Sequence, residues 1–259
     1  MSKVFKDEAE LATHVIEWLR SNGWAVHQEV MLSYSGRTAD VIAEKDGKLW
    51  IVECKNTFSD SVLEQCYMHM PYCHYVSAAV PGYDRTVYRR SSSQGRASMV
   101  KKHFLKYNGI GLIRVNKISK GAHVDEELSP EYQRLFKKLD PAKRFINRIK
   151  RIKEKFHILH KNATAGGQGG QVTDYTITMY KVRKYLKENG PTDPLTVAKN
   201  IEHHYSSNSS CKQGILKGIS YGWVPGIAKN IEDKKAILYL IEGYDLDGSL
   251  IDNEESRIL

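Results

Sequence analysis

The chain has 259 residues, 41% of them apolar, with a formal net charge of +9. That is enough for one large domain or two small ones with packed cores. No run of about 18 apolar residues occurs, so no membrane helix is expected. The charged start MSKVFKDEAE lacks the apolar stretch of a secretory leader, so a cytoplasmic protein with reduced thiols is expected.

In chain order, Leu11, Val15, Ile16 and Leu19 predict a helix over 7–21, stopped by Asn22-Gly23. Ala25 to Leu32 reads as a strand. Ala39 to Ala43 and Leu49 to Cys54 read as two more, joined by the tight turn Lys45-Asp46-Gly47-Lys48. Residues 60–70 look helical and His74 to Val80 is an apolar strand. The set Cys66, His69, Cys73 and His74 matches no common zinc spacing, and its thiols read as small core residues. A polar stretch from Gly82 to Ser98 carries Arg85, Arg89, Arg90 and Arg96, candidates for contact with a phosphate backbone. A helix at about 98–107 and a strand from Ile110 to Val115 close the unit. Helices interspersed with strands predict a sheet covered on its faces.

The basic excess is concentrated. Residues 1–130 hold 17 basic and 15 acidic residues, residues 131–165 hold 11 and 3, and residues 166–259 hold 11 and 12. Within the basic segment, Phe145, Ile149, Ile152, Phe156 and Leu159 predict one apolar helix face. Arg144, Arg148, Arg151 and Lys155 follow on the adjacent face, an arrangement suited to a polyanion. Four glycines between Ala165 and Gln171 mark a joint. Beyond it, Met179, Val182 and Leu186 pattern a helix ending at Asn189-Gly190. Asp193-Pro194 opens a second helix, running to about His204. Ser206 to Ser209 cap a third, holding Ile215, Leu216 and Ile219. Trp223-Val224 and Ala236 to Ile241 read as two short strands.

Asp40 followed by Glu53-Cys54-Lys55 is the strongest chemical signal. Strand alternation places Glu53 and Lys55 on one face, with Cys54 in the core and Asp40 on the neighbouring strand. Two carboxylates suit a hard divalent cation, and a nearby lysine can orient or deprotonate a water, or offset phosphate charge. An ordinary hairpin with solvated charges has the same local pattern.

The stretch from Arg37 to Asn56, with its D-x12-E-x-K, resembles the core of the PD-(D/E)XK nuclease superfamily, over roughly residues 5–116. Thr38-Ala39-Asp40 stands where Pro-Asp is often written. The resemblance implies a restriction-endonuclease-like α/β core, a mixed sheet flanked by helices. It implies Mg²⁺, with Mn²⁺ substituting, held by Asp40 and Glu53, and catalysis assisted by Lys55. Many members add a glutamate from the first helix. Glu10 is the candidate, with Glu8 and Glu17 as alternatives, although an acid at a helix start is also favoured by the dipole. Gln65 sits where several members carry a glutamine that holds substrate or a metal-bound water; a plain helix-surface role fits as well.

Residues 175–241 resemble a winged helix by pattern: three helices, then a two-stranded wing. Ser207, Asn208, Ser209, Lys212, Gln213 and Lys217 would be the exposed residues near the third helix, able to read base edges. A small helical domain that binds protein has the same pattern. The expected order is a nuclease domain (1–130), a basic helical connector (131–165), a glycine-rich linker (166–174), a winged-helix-like α+β domain (175–245) and an acidic tail (246–259). The expected partner is DNA, with a homodimer for double-strand cleavage, and no membrane. The expected function is a restriction-type, Mg²⁺-dependent DNA endonuclease whose C-terminal domain selects the site or its base modification; a structure-selective nuclease of Holliday-junction or repair type, and a non-catalytic DNA-binding regulator, are the alternatives.

Overall fold

Helix α1 (Glu8–Ser21) starts where the Asp7 carboxylate accepts the Glu10 amide at 2.9 Å. Its helical spacing buries Leu11, Val15, Ile16 and Leu19. Residues 4–32, 37–82, 93–133, 142–163, 165, 172–232 and 235–249 are described in the computed structural model. They fall into two compact units, Met1–Gln171 and Val172–Leu259. Among the described residues no helix is long and apolar enough to cross a membrane.

The first unit is an α/β fold around a six-stranded mixed sheet: β1 (Ala25–Met31), β2 (Thr38–Lys45), β3 (Lys48–Cys54), β4 (Tyr75–Pro81), β5 (Gly111–Ile118) and β6 (Gly121–Leu128). Neighbours in sequence are neighbours in the sheet, and only the β3–β4 and β4–β5 pairs are parallel. The crossovers those pairs require are α2 (Asp60–His69) and α3 (Ser93–Tyr107). The β2–β3 turn uses Asp46 and Gly47, both at positive φ (49° and 75°), the conformation a tight hairpin wants from Asp-Gly.

Alternation along β3 separates two cores. Leu49 and Ile51 face the cluster holding Val62, Leu63 and Cys66 of α2 and Leu105 of α3, whereas Trp50, Val52 and Cys54 face the α1 side. All four cysteines are buried free thiols.

In the elements of the first unit the structure differs from the sequence reading at several points. The helix expected from about residue 98 begins at Ser93. The sheet does not close at Val115, because β6 adds an edge strand. The run Asp125-Glu126-Glu127 hides that strand, which is held by Glu127 to Arg114 at 2.7 Å and by Ala122 and Val124 packing toward α1. The basic segment is two helices rather than one. Helix α4 (Ala142–Glu154) ends where Phe156 stacks on His27 at 3.8 Å and Lys155 donates to the Met31 carbonyl at 3.0 Å; α5 (Ile158–Asn162) follows, capped by His157. Because Phe145, Ile149 and Ile152 of α4 lie in the α2-side core, this segment is part of the first unit and not a free connector. Each such side chain is worth about 1.5–3 kcal/mol of burial, enough to hold a helix whose basic face repels itself.

The second unit holds α6 (Asp174–Asn189), α7 (Pro194–Asn200), α8 (Asn208–Ser220) and the hairpin β7 (Ile227–Glu232) to β8 (Lys235–Leu240). Met179, Val182, Leu186, Val197, Ile215 and Leu238 form its separate core. Here α7 stops at Asn200 rather than near His204, and the first strand begins at Ile227. Trp223, expected in that strand, lies in the preceding turn, stacked on Tyr221 with ring centroids 4.9 Å apart.

Candidate active site

The site forms where β2, β3 and the first turn of α1 meet. The Cys54 amide donates to Asp40 Oδ2 at 2.9 Å, and Glu53 Oε1 stands 3.4 Å from the Asp40 amide. Each strand thus pins one oxygen of the carboxylate borne by its neighbour. Glu53 is 1% exposed, and its Oε2 has no hydrogen-bond partner.

Burial and then the Glu53 charge push Asp40 up to about 7. Burial also lifts Glu53 to about 7, against the Asp40 hydrogen bond that lowers it. Near neutrality the pair therefore shares protons unless a cation arrives, since two buried like charges cannot both be left uncompensated. Among the described residues no three His, Cys, Asp or Glu side chains are grouped as a protein cage for a metal. Mg²⁺ does not ask for one: it commonly takes one or two carboxylates and keeps waters or phosphates on its remaining positions. The unpartnered Oε2 beside Asp40 fits that demand.

Lys55 follows the last residue of β3, with its amide on the Ala79 carbonyl at 3.0 Å. Its ammonium reaches Glu8 Oε2 at 2.8 Å. Burial lowers the Lys55 pKa, but the Glu8 bond and the Asp40, Glu8 and Glu53 charges together hold it above the ordinary lysine value. Of the three first-helix glutamates, Glu8 is therefore the one at the site. Glu10 is turned away, onto Lys117 Nζ at 2.6 Å and the Lys6 amide at 2.6 Å, and Glu17 is exposed beside His14. The spacing of α1 explains this. Glu8 occupies the first helical residue, level with the strand ends, and Glu10 lies 200° further round.

Gln65 and His69, one turn apart on α2, line a cavity of about 630 Å³ with Arg37, Thr38 and Ser61. Gln65 Oε1 is buried without a partner. His69 is 2% exposed, and its Nε2 stands 2.7 Å from Glu53 Oε1, off the line a hydrogen bond needs. Burial first, and Arg37 nearby, take His69 down to about 4, against Asp40, so it is neutral at pH 7. Sequence reasoning missed its place at the site. His69 was visible only within a set of Cys and His residues, whose thiols went to the core while its ring turned to Glu53. Glu29 was missed as well. It is buried, has positive φ (52°) in β1, and adds negative charge that raises Glu53. A left-handed non-glycine residue inside a strand leaves no mark in the sequence.

The expected DNA-contacting residues separate. Arg144 and Arg151 are exposed on α4. Arg148 is not on that open surface: Nη1 donates to the Pro71 carbonyl at 2.8 Å, and its guanidinium lies 5.3 Å from the Tyr72 ring. Arg85, Arg89 and Arg90 lie outside the described residues, as does the Arg96 side chain, although its backbone is in α3. In the second unit, Ser207 caps α8 by accepting the Ser210 amide at 3.1 Å, and Asn208 Oδ1 meets His203 Nε2 at 3.0 Å. Ser209, Gln213 and Lys217 are exposed and Lys212 is half-buried. Lys217 Nζ sits 5.8 Å from the Tyr221 ring.

No protein-family model matches the chain, and no curated protein does. Among solved structures, a protein of unknown function from Silicibacter pomeroyi is similar at 20% identity and a TM-score of 0.37, over 59% of this chain and 85% of its own.

Proposed function

We propose that this protein is a Mg²⁺-dependent DNA endonuclease of PD-(D/E)XK type, with Mn²⁺ substituting, whose C-terminal unit is a winged-helix-like module that selects the site. The observation that carries the reading is the Asp40–Glu53 pair: two carboxylates on adjacent strands, both raised to about 7, with one buried oxygen left unpartnered.

Asp40 and Glu53 would hold the cation, which when bound supplies Lewis-acid polarisation of the phosphate and a more acidic water. Lys55 has the complementary role. A lysine held above its ordinary pKa is a poor base at neutral pH, so it donates hydrogen bonds and positive charge to a phosphate oxygen while Glu8 fixes its direction. Neutral His69 stands 2.7 Å from Glu53 Oε1 and lines the neighbouring cavity without adding charge to the pair.

The three helices and hairpin of the second unit support the winged-helix reading, with α8 as the groove-facing helix and Ser209, Lys212, Gln213 and Lys217 as its outward residues. One observation favours a second reading, structure-selective cleavage. The 11 basic and 12 acidic residues of 166–259 give that region no phosphate attraction of its own.

The deciding experiment incubates the full chain with plasmid and genomic DNA, methylated and unmethylated, with and without Mg²⁺, and sequences the ends. Metal-dependent cuts at a shared sequence support site selection, and cuts clustered at junctions or flaps support the second reading. No cleavage, together with Mg²⁺ affinity unchanged by Asp40→Asn in calorimetry, overturns the nuclease assignment.

A further inference from the structure

The cavity in front of α2 contains more than the carboxylate pair needs. Arg37 borders it, half-buried, with its guanidinium 6.0 Å from the Tyr72 ring and its carbonyl held by the Leu32 amide at 2.7 Å. Among the described residues no carboxylate pairs with this guanidinium. Ser61 borders the same space from the first turn of α2, and Ser59, the N-cap, makes no side-chain cap bond, so that turn's amides keep their donors. Deeper in, Gln65 Oε1 and His69 Nδ1 are buried with no hydrogen-bond partner, and the His69 ring is 98% removed from solvent. Buried polar atoms are rarely left so, and several around one cavity imply a polar occupant.

Charge decides what that occupant is. A half-buried guanidinium and an uncapped helix start favour an anion, and the Gln65 amide, turned about its last torsion, would present its N–H2 rather than its oxygen to it. The Asp40–Glu53 pair, touching the cavity through His69, repels one unless Arg37 offsets it. Glu64 at the rim is exposed and opposes only weakly.

We propose that this cavity seats a second backbone phosphate of the substrate strand, adjoining the phosphate that is attacked, with Arg37 as its charged partner and the α2 start, Gln65 and His69 around it. The inference rests on the nuclease reading above and adds where the strand runs: from the carboxylates along the face of α2. Arg37 acts by binding, since a guanidinium can offer two parallel N–H donors to one phosphate, a geometry lysine lacks.

The test is a methylphosphonate scan. A short duplex is made in versions that each carry one neutral methylphosphonate, and binding to the full chain is measured by fluorescence anisotropy with Ca²⁺ in place of Mg²⁺. In the wild type, one position next to the cut should weaken binding about tenfold, the size of one hydrogen bond to a charged group. In Arg37→Gln, binding to the unmodified duplex should fall by a similar factor, and the penalty at that position should vanish, because the two changes remove the same contact. Arg37→Lys should recover only part of it. A wild-type scan with no costly position beside the cut, or a penalty that survives Arg37→Gln, overturns the inference. The wild-type scan requires no variant to fold. If the wild type cuts DNA normally while the scan is flat, only the inference falls. If the wild type neither binds nor cuts DNA, the nuclease reading falls and takes the inference with it.

Discussion

Asp40 and Glu53 hold each other's carboxylates through the neighbouring strand: the Cys54 amide donates to Asp40 Oδ2 at 2.9 Å, and the Asp40 amide lies 3.4 Å from Glu53 Oε1. The arrangement aligns two acids at the expense of charge repulsion. That repulsion should be measurable without substrate.

Both groups are raised to about 7, whereas unfolded Asp and Glu titrate at about 4. Between those values the folded chain binds more protons than the unfolded chain, so this contribution to stability is present at low pH and is lost as pH rises through 7. His69 and His160, lowered to about 4 mainly by burial, act in the opposite direction below about 6.5, the ordinary histidine value. The pair is therefore read as a difference. Without metal, Asp40→Asn should melt above the wild type at pH 8, and the gap should shrink at pH 5. Mg²⁺ should raise the wild-type melting temperature more at pH 8 than at pH 6. Equal melting of wild type and variant at pH 8 would show that the repulsion is absent.

Asp40→Ala and Glu53→Ala should abolish cleavage and leave DNA binding largely intact, because they remove the proposed cation ligands and not the basic surface. Either variant cutting at the wild-type rate places the chemistry elsewhere.

Lys55→Ala should lower the cleavage rate by about 10²-fold or more, the range for a positioned electrostatic group. Glu8→Gln should show a smaller loss, since the ammonium remains but is no longer aimed. Glu10→Gln should leave turnover near the wild-type value, because Glu10 pairs with Lys117. Single-turnover rates measure all three, and a larger loss from Glu10→Gln than from Glu8→Gln would reverse the assignment.

The arginines of α4 should divide by what they touch. Arg144→Ala and Arg151→Ala should weaken binding to every DNA sequence and flatten its salt dependence, as phosphate contacts do. Arg148→Ala should instead cost about 1–3 kcal/mol of stability, since the Pro71 carbonyl loses a charged donor. Paired salt titrations and denaturant melts separate the effects.

Truncation after Gln171 should leave a folded, metal-dependent nuclease, because the described residues of the first unit form cores of their own. If the second unit reads bases, the truncated enzyme cuts with reduced site preference, and Gln213→Ala in the full chain relaxes preference more than affinity. Identical cleavage patterns before and after truncation favour the structure-selective reading.

How legible the molecule was follows from how local each interaction is. Short apolar-rich runs bounded by turn signals placed β1 to β5, Asp-Gly marked the hairpin, and Asp193-Pro194 and Ser207 marked helix starts, because strand, turn and cap are decided within a few residues. The spacing from Asp40 to Glu53 and Lys55 was readable for the same reason: a hairpin brings them together. Strand β6 was not readable, since its Ala122–Val124 alternation is cut short by Asp125-Glu126-Glu127 and the strand is held by a partner such as Arg114. Nor was the break after Glu154, where Phe156 leaves the helix to stack on His27. What only the tertiary structure decided is which side chains share the carboxylates' surroundings. Glu8 rather than Glu10 reaches Lys55, His69 lies against Glu53, and Arg148 is taken up by Pro71 and Tyr72. These contacts join residues 47, 16 and 77 positions apart, and their geometry depends on how helices dock on the sheet, which no local pattern encodes.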